Sequence, residues 1–258
     1  MKIVIINLNN QFYMYICRIK SIKQIMKKII LISVLALFGM SLSAQNCVAF
    51  VPEEIGTSLK YSNANAKGKI DSYNMRTVLD IQNEDGTITY TILSQSFDSK
   101  NKEEETYRDT MIFMCKDGNF VVDMEQYLDP TQMEEQEENE DISINISFDE
   151  ITIPSDLSVG KKLADGSVTV EFVGGPIVIT NTTNITNREV TAHEEISTPA
   201  GKFKCYKVEQ DISNKMGFIT VQVHSIDWIK EGTGTIRSES YNKKGNLQTV
   251  TELVEIIK

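Results

Sequence analysis

Histidine is almost missing from this 258-residue sequence, which holds only His193 and His224. Two distant histidines cannot make a His-Glu-x-x-His zinc helix. No Gly-x-Ser-x-Gly elbow or phosphate-cradling glycine loop supplies another catalytic frame. Val173-Gly174-Gly175-Pro176 is glycine-rich, but it falls between two strand-like runs, with no helix N-terminus to hold phosphate. Positive charge is also short: 26 Lys and Arg stand against 36 Asp and Glu, for a formal net charge of −10. Nucleic-acid affinity rests on Lys and Arg neutralising phosphates, so this balance excludes a nucleic-acid partner and disfavours anionic membrane surfaces. Long apolar runs are absent too. The longest, Ile29–Met40, has about 12 residues, short of the roughly 20 that cross a bilayer as a helix.

What is present begins with that short run. Lys27 and Lys28 precede it, and Ser41-Leu42-Ser43-Ala44 follows it with small residues. This is the pattern of a secretory leader over 26–44, with cleavage expected after Ala44. Residues 1–25, rich in Lys, Ile and Asn, are read as an upstream extension, with translation starting at Met26. Cys47 follows Ala44-Gln45-Asn46, which is not a lipobox. The expected product is a periplasmic or extracellular domain over 45–258 with no stable membrane anchor. Loss of residues 1–44 removes six basic side chains and no acidic one, leaving 20 against 36 and a net charge of −16.

Three cysteines remain: Cys47, Cys115 and Cys205. An exported chain meets oxidising conditions in which a pair can bridge, but three cysteines allow three pairings. Cys115 continues an apolar alternation with Phe113, and Cys205 with Phe203, so both are expected to face inward. A Cys115–Cys205 bridge is one expectation, Cys47 is the alternative partner, and buried free thiols are the other outcome.

Period-two alternation dominates the rest. Tyr73, Met75, Leu79 and Ile81 alternate with Asn74, Arg76, Asp80 and Gln82, and Ile88, Tyr90 and Ile92 alternate with threonines. These are half-buried strands with one wet face. Asp85-Gly86, Asp117-Gly118, Asp165-Gly166 and Asn242-Lys243-Lys244-Gly245 supply turn chemistry between the runs. The count gives an all-β antiparallel meander of about 11 or 12 strands, enough that the sheet must curl into a half-barrel or barrel. No linker divides it, so one domain is expected. Residues 125–140 interrupt the pattern with acidic side chains and are read as a short helix or loop, a solvated face rather than a calcium site.

Several segments carry a family resemblance. They include Glu54-Ile55-Gly56-Thr57-Ser58-Leu59-Lys60-Tyr61, Ile153-Pro154-Ser155-Asp156-Leu157-Ser158-Val159-Gly160 and Thr186-Asn187-Arg188-Glu189-Val190. The clearest is Thr198-Pro199-Ala200-Gly201-Lys202-Phe203-Lys204-Cys205-Tyr206, and Gly232-Thr233-Gly234-Thr235-Ile236-Arg237 follows. The sequence resembles the TapB family of exported Bacteroidetes proteins, related to the DUF3108 domains. The resemblance implies an exported curved sheet and brings no activity, cofactor or catalytic residue.

Candidate site residues are few. His193, beside Glu194 and Glu195, reads as solvent-facing. The run 217–228 is apolar on both faces, and His224 shares one face with Phe218, Ile226 and Trp228. These four are the expected lining of a pocket. Three functions follow: a non-catalytic exported domain binding an apolar ligand or lipid, an assembly module binding another envelope protein, or a hydrolase whose site no motif reveals. None of them calls for a metal or cofactor.

Overall fold

The computed structural model describes residues 47–122, 124, 142–174 and 177–258. The leader, the upstream extension and the acidic run 125–140 lie outside the described residues. Thirteen strands occupy nearly everything else. They are β1 (Ser58–Asn65), β2 (Ile70–Glu84), β3 (Thr87–Asp98), β4 (Glu103–Lys116), β5 (Asn119–Val122), β6 (Ile142–Asp149) and β7 (Ile151–Pro154). The second half adds β8 (Gly166–Gly174), β9 (Ile177–Thr198), β10 (Gly201–Met216), β11 (Ile219–Lys230), β12 (Gly234–Asn242) and β13 (Leu247–Ile257).

All thirteen form one antiparallel sheet in the order β6-β8-β9-β10-β11-β12-β13-β1-β2-β3-β4-β5-β7. The two edge strands are therefore neighbours in sequence, joined only through Glu150. β6 pairs with β8, and β7 pairs with β5. Together they run in one direction as a single bent strand whose halves serve opposite edges. This bend brings the edges together into a nearly closed barrel, which removes the exposed edge that so long a sheet would otherwise present. The sequence count of 11 or 12 strands fell short because β5 and β7 are only four residues each.

Two of the three Asp-Gly pairs form tight turns. Asp165-Gly166 does not: Gly166 already opens β8, in an extended backbone pressed close to Ile151. Asp85 and Gly86 take φ of 50° and 85°, and Asp117 and Gly118 take 51° and 75°, the positive-φ pair that two-residue hairpins require.

By the alternation of strand direction, one barrel end gathers the turns β2–β3, β4–β5, β9–β10 and β11–β12. The segment Cys47–Pro52 seals it. Ala49, Phe50 and Val51 are buried there with Val78, Tyr90, Ile92, Phe113 and Phe120. Phe120 stacks on Phe113 at 5.6 Å and meets the edge of Phe50 at 5.8 Å. The Gly232 amide donates to Ala49 O at 2.8 Å, and the Val48 amide donates to Ser155 Oγ at 3.0 Å. Gly234 has φ +101°, and a Cβ there would stand 2.5 Å from Phe50 O. The strand must pass this segment with bare backbone.

A disulfide completes the seal. Cys47 bonds Cys115, with Cα atoms 5.6 Å apart, so the expected Cys115–Cys205 bridge does not form. Cys115 and Cys205 lie on β4 and β10, which the sheet order keeps well apart, and they belong to different buried clusters. A disulfide requires Cα atoms within about 7 Å. Cys205 is a buried free thiol, pushed up to about 11 chiefly by burial. It packs in a second cluster with Leu59, Tyr61, Ile236 and Leu253.

Candidate functional site: the barrel cavity

The inward face of the sheet does not close over a dry core. Between the sealed end and the far end it leaves a cavity of about 490 Å³, within the range of small-molecule sites. Apolar side chains such as Phe113, Ile92, Val208 and Ile229 line part of it, and Arg76, Asn74, Arg188, Gln210, Ser225 and Asp227 line another part.

Backbone geometry decides why Arg188 faces inward. Between the pairs Asp211↔Thr186 and Glu209↔Glu189, β9 carries two residues against one on β10. This bulge, with Asn187 at φ 55°, re-aims the next side chain. Buried Arg188 donates through Nε to Gln210 Oε1 at 3.2 Å and through Nη1 to the carbonyls of Ala164 at 2.6 Å and Thr152 at 3.3 Å. Gln210 passes the contact on, its Nε2 donating to Asp227 Oδ2 at 2.9 Å, where Ser225 Oγ also donates at 3.1 Å. Burial pushes the Asp227 carboxyl above its usual range. Hydrogen bonds from Ser238 and Ser225, the Arg188 charge and the Gln210 bond act against that shift. The network braces β9, β10 and β11 from inside, and removing one member would strand the others in low dielectric.

Across the cavity, Asn74 and Arg76 occupy alternate positions on β2. Asn74 Nδ2 donates to Ser94 Oγ at 3.0 Å and Gln95 O at 3.2 Å. The Arg76 guanidinium lies over the Tyr61 ring, 5.4 Å from its centre. Tyr61, whose hydroxyl donates to Thr235 O at 2.9 Å, is raised above the ordinary phenol range by burial.

The four residues expected to line a pocket are not on this cavity. Along β11, Ser225, Asp227 and Ile229 face it, so His224, Ile226 and Trp228 occupy the opposite face by strand alternation. Phe218 sits in the β10–β11 turn, fully exposed at 109%. The alternation itself was legible. Because the run is apolar on both faces, its pattern does not say which face turns inward, and the interior here is partly polar. Trp228 packs against the Cys205 cluster, lies 5.8 Å from Lys207 Nζ and 5.9 Å from the Arg237 guanidinium, and donates through Nε1 to Glu194 at 2.7 Å.

His224 and Ile226 do border a shallower groove, with Asp211, Asn187 and Tyr241. His224 Nδ1 is 2.9 Å from Asp211 Oδ1, and Nε2 is 3.7 Å from Glu209 Oε2. The hydrogen bond from His224, then that from Asn187, holds the Asp211 carboxyl below its usual range. Among the described residues His224 pairs with the carboxylates of Asp211 and Glu209. No group of three or more His, Cys, Asp or Glu among the described residues could hold a metal ion. His193 is exposed and stacks on Tyr206 at 4.2 Å.

Sequence patterning missed Arg188, Gln210 and Asp227. The available signals were an arginine inside the Thr186–Val190 segment and an aspartate between Ile226 and Trp228.

The DUF3108-like family model matches residues 54–253. The chain belongs to the DUF3108-like family. Two solved structures share the fold of this family member. One is a candidate exported protein with a YmcC-like fold from Bacteroides fragilis, 22% identical with a TM-score of 0.64. The match covers 82% of this chain and 100% of that one. The other is a candidate lipoprotein from Parabacteroides distasonis, 22% identical with a TM-score of 0.66 and the same coverage. At that identity the likeness extends to the fold alone. No curated protein matches.

Proposed function

We propose that this DUF3108-like chain is an exported, non-catalytic envelope protein whose barrel holds a small apolar or amphiphilic ligand. The observation carrying this reading is the interior cavity of about 490 Å³, walled by apolar side chains along one part and by a braced polar network along another. A barrel built only for stability would fill that volume with side chains, because interiors pack to crystal-like density. The leader pattern over 26–44 supports export, as do the exported and lipoprotein descriptions of the two similar structures. Their Bacteroides and Parabacteroides sources support a Bacteroidetes origin, and the finer TapB assignment rests on the sequence segments alone.

Native mass spectrometry of the mature protein purified from its own envelope tests the reading. A mass above that of the polypeptide, lost on mild activation, is expected. A clean polypeptide mass together with no uptake in a fluorescent-lipid assay would overturn it.

A second reading, an assembly module for another envelope protein, is favoured by the β10–β11 end, where Phe218, Ile219 and Val221 are exposed at 109, 64 and 55%. Apolar side chains grouped on a surface mark interaction sites. Crosslinking from position 218 in cells would capture one partner, and the absence of any adduct would end this reading.

A further inference from the structure

Three buried side-chain atoms have no hydrogen-bond partner among the described residues: Asn74 Oδ1, Arg76 Nε and Asn181 Oδ1. Two of the three line the cavity, and they come from alternate positions of one strand, so they point from the same face. Several other polar side chains of the wall are committed to one another. Arg188, Gln210, Ser225 and Asp227 satisfy one another or wall carbonyls. Asn63 donates to Ser72 Oγ at 3.1 Å and accepts from Thr251 Oγ1 at 2.8 Å.

Arg76 differs from Arg188 in its surroundings. Its cross-strand neighbours are Leu59 and Ser94. No acid pairs with it among the described residues, and its only cationic contact is the Tyr61 ring. Arginine stays charged at any physiological pH, so this is a half-buried cation with no acid paired to it and a fully buried Nε–H left without an acceptor, an arrangement that an anion in the cavity would complete. The Asn74 amide is equally specific. Both its N–H groups are used, leaving its carbonyl oxygen as a bare acceptor two residues before Arg76 on the same face of β2. The charged side chains lining the cavity are Arg76, Arg188 and Asp227, so the interior is net positive inside a strongly acidic protein.

We infer that the cavity recognises the anionic head of an amphiphile, a carboxylate or phosphate, with Arg76 as the charge partner and Asn74 Oδ1 accepting from a hydroxyl or N–H on the head. The apolar wall takes the tail. This rests on the proposal that the cavity holds a ligand, and names the class of that ligand.

The test is calorimetric titration of the mature protein with laurate, dodecyl phosphate, 1-dodecanol and acetate, repeated on Arg76→Met and Arg76→Lys. A charge-assisted hydrogen bond predicts that the better anionic amphiphile binds roughly 10-fold or more tighter than dodecanol. Arg76→Met should remove that margin while leaving dodecanol within about 3-fold, and Arg76→Lys should keep part of it. The preferred anion identifies the head as carboxylate or phosphate. Arg76→Met replaces an unpaired cation with an apolar side chain of similar length, so its melting temperature is expected to hold or rise. Equal binding of dodecanol and the anions would overturn the inference and leave the cavity reading standing. So would an equal loss of all probes in Arg76→Met, or acetate binding as tightly as laurate. No binding by any of the three tailed probes would overturn both.

Discussion

The two ends of the barrel are built differently although the same strands run between them. At the sealed end, Cys47–Pro52 crosses beneath the strands, its Ala49, Phe50 and Val51 are nearly inaccessible, and a disulfide ties it to β4. At the far end, β10 and β11 run on to a turn whose Phe218 is fully exposed. Met216, Ile219 and Val221 beside it share, by register, the face that carries Ile212, a cavity residue. Both ends carry apolar side chains, and among the described residues a crossing segment covers only the first of them. Among the described residues, packing is therefore densest at the sealed end and exposed apolar surface lies at the other.

Substitutions can break that contrast, and the largest effect is expected deep in the sealed end. Phe120→Ala removes a ring stacked between Phe50 and Phe113 and should cost about 3–5 kcal/mol in denaturant unfolding. Cys47→Ser opens a linkage across 68 residues and should cost about 2–4 kcal/mol. The variant should also lose the sensitivity to reductant that the wild type shows. Gly234→Ala forces a Cβ against Phe50 O at a positive φ, with an expected cost of about 1–3 kcal/mol; an unchanged melting temperature would show that the Phe50 segment yields.

Asp227 sharpens the contrast from within the cavity. Its carboxyl is raised by burial, so folding favours the protonated form. That contribution is full below the unfolded carboxyl's pKa of about 4 and is lost as pH rises through the folded value. Asp227→Asn cannot ionise, so its stability relative to wild type should improve steadily as pH rises from acid toward neutral. Parallel pH profiles would show that Asp227 is not perturbed. The smallest effect belongs to the far end: Phe218→Ser should change stability by no more than about 0.5 kcal/mol, and a larger loss would mean that the turn is covered in solution.

Much of the fold could be read directly, because strand alternation and Asp-Gly turns are local signals. The β11 pattern sorts into two faces as its alternation implies, whereas on β2 a bulge at Leu79 swaps the faces, so that Ile81 joins the inner side with Val78 and Asp80 turns outward. Alternation does not say which face turns toward the cavity. On β2, the face carrying Asn74 and Arg76 had been read as wet, and it is wet in the sense that it borders the cavity. On β11, Ser225 and Asp227 point inward while Trp228 finds shelter outside under Lys207 and Arg237.

The sequence by itself determined an all-β antiparallel chain, its family, its acidity and the turns that set most hairpins, since each depends on neighbours within a few residues or on simple counts. Tertiary structure alone decided which cysteines meet, how β6 and β7 bend across one residue to close the sheet, and which face surrounds the cavity. Those depend on curvature and on contacts between distant strands. No local pattern records that the space enclosed by thirteen strands is large enough to hold charge.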